Sequence, residues 1–332
     1  MALNFGLLGA GRIGKVHAGA VAAVPGARLV AVADAFPDAA KSLADSFGAQ
    51  TRSVEAIMSA KDIDAVLITT PTDLHATMIE QAAKAGKAIF CEKPIDLDVK
   101  RVRECLAVVA KEKAALMVGF NRRFDPNFIA VRKAIDEGAI GTVEMVSITS
   151  RDPGPPPLDY LKRSGGLFRD MTIHDFDMAR FLLGEEPVSV LASASNLVDP
   201  EIGKVGDIDS AAIILTTKSG KIAQISNSRR ASYGYDQRIE VHGSKGLASA
   251  ENLRATTLEI ANGEGYRREP LLNFFMTRYT DAYRNEIGTF VSSLEAGKPM
   301  SPSGEDGLRA LLLADAAVTS VKEGRAVKVD ER

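Results

Sequence analysis

Gly9-Ala10-Gly11-Arg12-Ile13-Gly14 decides how this chain folds at its start. The six residues follow a short apolar run, Leu3 to Leu8, that reads as a buried strand. They precede Lys15 to Val24, which reads as a helix ending at Pro25-Gly26. A Gly-x-Gly-x-x-Gly on a strand-to-helix turn is the fingerprint of a dinucleotide-binding unit. Gly9 permits the tight turn, Gly11 lets the backbone approach a pyrophosphate, and Gly14 lets helix and strand pack closely. Arg12 and Ile13 lie inside the turn, where the helix offers its unpaired N–H groups to phosphate. Asp34 ends a second apolar strand, Leu29 to Ala33, about 20 residues past the last glycine, where an acid holds ribose hydroxyls. An unligated tight turn would need no such acid.

The 332 residues suggest about two domains. Hydrophobic content of 45% with 25% charged residues is ordinary for a globular protein with a normal core. Net charge is −2, without long charge runs, which argues against nucleic acid or an anionic membrane as partner. Cys91 and Cys105 make no disulfide framework and fit a reducing cytoplasm. No apolar stretch approaches the ~18 residues of a membrane span. The apolar N-terminus lacks the basic region and cleavage site of a signal peptide.

The first third alternates strand and helix. Ala65 to Thr69, Lys87 to Cys91 and Ala115 to Phe120 read as strands, with helices over Leu74 to Ala85 and Val99 to Lys113. This pattern predicts a doubly wound parallel sheet, a Rossmann domain, over residues 1–121. Ligands sit beyond the carboxyl ends of such strands. Those ends carry Gly9, Asp34, Thr70-Pro71-Thr72, Glu92-Lys93-Pro94 and Asn121-Arg122-Arg123. Thr70, Pro71, Glu92 and Lys93 are therefore expected to flank a cofactor, with His75 beside them.

Residues 122–332 are expected to form a second, α+β domain. One helix, Asn127 to Glu137, is followed by strands over Val143 to Thr149, Val188 to Ala194, Ser210 to Thr216, Lys221 to Asn227, Gln237 to His242 and Thr256 to Ala261. Turns at Lys218-Ser219-Gly220 and Gly243-Ser244-Lys245-Gly246 predict a large open, mainly antiparallel sheet. One of its faces needs a cover, either the helices near Asp170 to Leu183, Asp281 to Glu295 and Gly307 to Lys322, or a second subunit. Asp152-Pro153-Gly154-Pro155-Pro156-Pro157 reads as a stiff loop near a site.

Two groups of residues suggest chemistry. Lys93 lies at a strand end, and Pro94 restricts its conformation. Asp170, His174 and Asp177 fall at i, i+4 and i+7, along one face of a single predicted helix. Ile173, Phe176, Ala179 and Leu183 form its apolar stripe. The bland reading is a solvated face with Asp170 as N-cap. Two acids in register with a histidine, behind Gly165-Gly166, favour function. No further His or Cys completes a coordination shell, so no metal is expected. His17 reads as packing and His242 as structural. Tyr233, Tyr235, Tyr279 and Tyr283 are polar aromatics able to line a polyol pocket.

With Gly9 to Gly14, Glu92-Lys93-Pro94 and Asp170 four residues before His174, the chain resembles the glucose–fructose oxidoreductase, inositol dehydrogenase and rhizopine-catabolism family. Residues 165–184 most resemble those of bacterial inositol 2-dehydrogenases. The resemblance implies NAD as cofactor and Lys93, Asp170 and His174 as the catalytic set. It also implies a dimer or tetramer built through the second-domain sheet. Asp152, Asp177 and Tyr235 fall where such enzymes contact ring hydroxyls. Asn121, Met171 and Tyr283 are expected to complete the substrate contacts, Asn121 and Met171 departing from residues that some family members carry. The expected reaction is oxidation of myo-inositol to 2-keto-myo-inositol. Alternatives are a dehydrogenase for another inositol isomer or an aldose, and a dinucleotide-sensing regulator without chemistry. Either His174 or Lys93 would accept the hydroxyl proton.

Overall fold

A computed structural model describes residues 2–329. The chain forms two compact units, Met1–Phe124 with Thr280–Leu311, and Asp125–Tyr279 with Leu312–Arg332. The expected second domain ran without interruption from 122 to 332, and its last residues, 330–332, lie outside the described residues. In the structure Thr280–Leu311 packs instead with the first unit.

The first unit runs β1 (Leu3–Leu8), α1 (Arg12–Ala23), β2 (Ala27–Ala33), α2 (Pro37–Phe47), β3 (Gln50–Thr51), α3 (Val54–Ser59), β4 (Ala65–Ile68), α4 (His75–Lys84), β5 (Ala88–Glu92), α5 (Val99–Glu112) and β6 (Leu116–Gly119). The strand order is β3-β2-β1-β4-β5-β6, and every pairing is parallel. The order reverses direction between β1 and β4, the switch point at which such sheets bind ligands. All four residues of β4 are buried, as a strand covered on both faces requires. The sequence reading left α2, β3 and α3 unassigned. Pro37 starts α2 and Gly48, at φ 64°, ends it.

The second unit opens with α6 (Pro126–Asp136), β7 (Val143–Arg151), α7 (Leu158–Ser164), α8 (Gly166–Asp170) and α9 (Ile173–Leu183). It continues through β8 (Pro187–Ser195), α10 (Pro200–Lys204), β9 (Ser210–Thr217), β10 (Ile222–Ser228), β11 (Asp236–Gly243) and β12 (Gly246–Ala250). Next come β13 (Glu259–Asn262), β14 (Gly265–Arg268) and α11 (Phe275–Arg278). Then α12 (Thr280–Glu295) joins the first unit, where it packs on α1. Phe290 of α12 meets Phe5 and Phe90 at ring distances of 5.9 and 6.0 Å. Truncating one of these buried rings would cost about 3–5 kcal/mol. Thus an apolar helix face, rather than chain order, decides where this segment belongs. The chain ends with α13 (Gly304–Glu323) and β15 (Val327–Lys328).

The large sheet has the order β12-β11-β7-β10-β9-β8-β15. β7 and β10 are parallel, and the other pairings are antiparallel. Inner positions alternate with outer ones: Val146, Ile148, Ile213, Leu215, Ala223 and Ile225 are buried, while Met145 and Ile214 are exposed. The inner side of β7 and β10 carries α9. The strand expected at Thr256 to Ala261 corresponds to β13, which pairs only with β14 in a separate hairpin. Every residue of β13 and β14 is exposed, so no core face draws them into the large sheet. The sheet's edge strands are β12 and β15, and neither is among the strands expected from the sequence.

Candidate active site

The glycine-rich turn is built as its chemistry demands. Gly9 has φ +105°, and a Cβ there would lie 2.6 Å from the Thr69 carbonyl oxygen. A Cβ on Gly14 would overlap the Gly9 carbonyl oxygen. A Cβ on Gly11 would meet nothing within 4 Å. Gly9 and Gly14 are therefore needed by the fold, and Gly11 is needed by whatever approaches from outside. Gly11 is the N-cap of α1 and has no side chain to bond the first N–H groups. Those donors and the positive end of the helix dipole suit a pyrophosphate.

Asp34 stands just past β2, half-buried. Its Oδ2 accepts the Ala10 N–H at 2.6 Å and its Oδ1 accepts the Phe36 N–H at 2.8 Å. The carboxylate is thus anchored to the glycine-rich turn itself. The Thr69 hydroxyl donates to the Leu8 and Gly9 carbonyls, closing the turn from the β4 side. Thr70 and Pro71 follow it at the mouth of the sheet.

His75 departs from the expected cofactor contact. It is 2% exposed, with Nδ1 2.7 Å from the Pro94 carbonyl and Nε2 2.8 Å from the Thr70 carbonyl. Burial pushes the imidazole below its ordinary value, against the pull of these two oxygens. Its ring nitrogens are spent on the backbone, so it ties the Thr70 loop to the turn after Lys93.

Glu92 also faces inward. It is 8% exposed, and its Oε1 lies 2.6 Å from His17 Nε2. Its Oε2 accepts the Lys93 N–H at 3.3 Å. Gly119 leaves room for this carboxylate, because a Cβ there would come within 3.2 Å of it. His17, expected as packing, is the buried partner of Glu92 and also meets the edge of Tyr283 at 5.5 Å. Tyr283 belongs to α12 and is 6% exposed. Glu286, one turn further on, is fully buried, and neither of its oxygens has a hydrogen-bond partner. Burial first, then the charge of Glu92, holds its carboxyl well above the usual range. Lys93 itself remains half-buried at the end of β5, and Asn121, 4% exposed, follows β6.

In the second unit the single helix expected from Asp170 to Leu183 is broken. Asp170 ends α8, the chain turns through Met171-Thr172, and α9 begins at Ile173. Asp170 is neither an N-cap nor a member of the His174 helix. The apolar stripe holds, since Ile173, Phe176, Ala179 and Leu183 are at most 1% exposed. Asp175, Asp177, Met178, Arg180 and Leu182 are buried as well, which leaves His174 and Phe181 as the α9 residues that are not. His174 is the one residue from 171 to 180 that is not buried.

Asp170 is half-buried and held at both oxygens. The Tyr160 hydroxyl donates to Oδ1 at 2.8 Å, and Arg229 Nη2 lies 3.5 Å from Oδ2. Burial and Asp170 push the Tyr160 phenol up, so it stays a donor. Tyr160 stands in α7, directly after the proline-rich segment. Asp152 precedes that segment and donates its N–H to the Ser228 carbonyl at 2.9 Å. Asp177 is 1% exposed and lies 3.5 Å from Arg180 Nη1. Met171 and Tyr235 are each 6% exposed. Tyr235 meets Tyr279 edge-on at 6.0 Å.

Tyr160, Asn227 and Arg229 escaped the sequence reading. The Asn227 amide donates to Asp175 Oδ2 at 2.8 Å, and its Oδ1 accepts the Thr172 hydroxyl at 2.7 Å, which anchors the start of α9. A signal existed. Along β10 the inner positions are Ala223 and Ile225, and the same alternation carries Asn227 and Arg229 inward. Polar residues at core parity need partners.

Among the described residues, no group of His, Cys, Asp and Glu is arranged to hold a metal ion. No helix among them is long and apolar enough to cross a membrane.

Residues 3–120 match the oxidoreductase family with an NAD-binding Rossmann fold, and residues 128–249 match the GFO/IDH/MocA C-terminal domain. The chain is 68% identical over 329 residues to an inositol 2-dehydrogenase of Rhizobium meliloti, covering 99% of this chain and 100% of that one. It is 45% identical over 331 residues to a myo-inositol 2-dehydrogenase of Thermotoga maritima, covering 99% of each. A crystal structure of scyllo-inositol dehydrogenase from Lactobacillus casei, with bound NAD(H) and scyllo-inositol, superimposes with a TM-score of 0.92 at 29% identity, covering 99% of both chains.

Proposed function

The chain belongs to the GFO/IDH/MocA oxidoreductases, and from that premise we propose that it is an NAD-dependent inositol 2-dehydrogenase, oxidising myo-inositol to 2-keto-myo-inositol. The observation that carries this reading is full-length identity of 68% to an inositol 2-dehydrogenase. Three features support it: the Asp34 carboxylate anchored at the glycine-rich turn, an open Gly11, and the half-buried His174 imidazole on α9.

NAD supplies the hydride acceptor. Asp34 holds the ribose hydroxyls and repels a 2′-phosphate, and Ala35 beside it brings no cation to bind one, so NAD is preferred over NADP. His174 takes the hydroxyl proton as general base, imidazole being the side chain type whose proton exchange suits neutral pH. Asp170 stabilises the imidazolium that forms. Lys93 hydrogen-bonds the reacting oxygen and balances its developing negative charge. Asp152, Asp177, Asn121 and Tyr235 bind hydroxyls that do not react, with Met171 and Tyr283 as apolar and aromatic walls. The regulator alternative leaves Lys93, Asp170 and His174 without a task.

We assign the open face of the large sheet to a second copy of the chain. Met145, Leu191, Ile214 and Leu247 stand 42–51% exposed there, among serines and threonines. Apolar surface of this kind marks an interface. A homotetramer built through this face is the expected assembly, and Ile214→Asp with Leu191→Asp should release smaller species in light scattering. Cys91 and Cys105 are buried free thiols, consistent with a cytoplasmic enzyme.

The test is reduction of NAD and of NADP on a panel of myo-inositol, scyllo-inositol, other inositols and D-glucose, followed by absorbance of the reduced nicotinamide. The reading expects myo-inositol with NAD to give the highest kcat/KM. A preference for glucose would transfer the protein to the aldose dehydrogenases. Deoxy-inositols should lose several-fold or more, since an unpaired buried acceptor costs about 1–3 kcal/mol. Asp177→Ala should blunt that discrimination at one ring position only.

A further inference from the structure

Arg229 is 1% exposed, and its backbone N–H is fixed on the Asp209 carbonyl at 2.8 Å. Its Nη2 lies 3.5 Å from Asp170 Oδ2 and 3.5 Å from Asp207 Oδ2. Asp207 is itself immobilised. Its Oδ1 accepts the Leu167 N–H and the Ile208 N–H, each at 2.8 Å. Gly166, at φ +81°, makes the space, since a Cβ there would lie 2.8 Å from Asp207 Oδ1. The Gly165-Gly166 pair thus serves a buried carboxylate whose other oxygen steadies a buried guanidinium.

A buried arginine keeps its charge and requires a counter-charge. Asp207 alone meets that requirement. The reach to Asp170 therefore asks for a second explanation. We propose that Arg229 and Asp207 are positioning residues of the dehydrogenase reaction. Arg229 clamps the Asp170 carboxylate in one orientation. Asp207 cancels the arginine's charge, so that Asp170 still presents a net negative charge to the imidazolium that forms at His174. Tyr160 completes the clamp on the opposite oxygen. The inference rests on the reading that Asp170 and His174 are catalytic.

The test uses the sign of a pH shift. The acid limb of kcat/KM reports the essential base of the free enzyme. A neighbouring cation disfavours the imidazolium and a neighbouring anion favours it. Arg229→Met should therefore move the acid limb to higher pH by about one unit, with kcat down tenfold or more. Asp207→Asn keeps the oxygen that accepts the Leu167 and Ile208 N–H groups, and turns the oxygen facing Arg229 into an uncharged amide NH2 that cannot balance the guanidinium. It should move the limb to lower pH and also reduce kcat. Arg229→Lys should leave the limb near its original position and recover part of the rate. NAD affinity should be unchanged in all three. Should Arg229→Met fail to fold, the opposed behaviour of Asp207→Asn and Arg229→Lys still decides. A purely structural arginine would lower thermal stability and leave both limbs where they were, and that result overturns the proposal. Asp170→Asn separates the two levels. If it retains kcat, the catalytic reading fails and the clamp with it. If it abolishes turnover while Arg229 and Asp207 variants keep the original pH profile, the clamp alone is wrong.

Discussion

Substituting alanine for each of two glycines should separate folding from cofactor binding. At Gly14 a Cβ would overlap the Gly9 carbonyl oxygen and press on Thr69 Oγ1 at 3.1 Å. Backbone cannot give way cheaply, so Gly14→Ala should cost the apo protein about 1–3 kcal/mol, the usual range for overpacking. At Gly11 the φ of −69° suits alanine, and no atom lies within 4 Å of the new methyl. Apo stability of Gly11→Ala should therefore stay within about 1 kcal/mol of the original. The methyl instead occupies the space through which the pyrophosphate approaches the backbone. At least a tenfold loss of NAD affinity is expected, about 1.4 kcal/mol. With NAD at 100 times the original Kd, ligand stabilisation is about 2.7 kcal/mol, and it falls to about 1.4 kcal/mol in the variant. The NAD-induced rise in Tm should shrink by about 2 °C. Differential scanning calorimetry with and without NAD, and titration calorimetry for Kd, measure both effects. NAD binding by Gly11→Ala within twofold of the original would refute the placement of the dinucleotide. Equal apo destabilisation by the two substitutions would refute the reading of the turn.

Lys93→Ala and His174→Ala should each lower kcat by about 10²–10⁴, with NAD binding retained; near-normal turnover of His174→Ala would hand the proton to Lys93. Asp34→Ala removes the acceptor of the Ala10 and Phe36 N–H groups. It should weaken NAD about tenfold and narrow the preference over NADP, which an unchanged ratio of kcat/KM values for the two cofactors would contradict. His75 contributes to pH dependence through its depressed imidazole pKa. Its stabilisation is fully present above the unfolded value of 6.5 and is lost as pH falls through the folded one. The Tm advantage over His75→Asn should therefore shrink between about pH 7.5 and pH 5.5, and a constant advantage would show that the imidazole does not titrate with folding.

The first unit was legible because its signals are local. Buried parallel strands read as continuous apolar runs, and β1, from Leu3 to Leu8, falls where the run of side chains places it. The glycine motif carries its own turn geometry. What escaped depends on distant partners. Nothing near Met171-Thr172 marks a break, since no proline or glycine interrupts the periodicity of α9. Thr256 to Ala261 has strand-like composition, but membership of a sheet is decided by burial, which local composition does not encode. Glu92 is expected from its strand-end position to flank the cofactor, yet its carboxylate meets His17, 75 residues earlier. The return of α12 to the first unit depends on Phe290 finding Phe5 and Phe90.

The central claim is that hydride leaves carbon 2 of myo-inositol for NAD. Myo-inositol deuterated at that carbon tests it most directly, with mass spectrometry of the cofactor and product. The account predicts one deuterium in the reduced nicotinamide, none in the ketone, and a slower rate where hydride transfer limits turnover. Deuterium retained in the oxidised ring would place the oxidation at another carbon. No reduced cofactor, with NAD still bound, would contradict the dehydrogenase assignment itself.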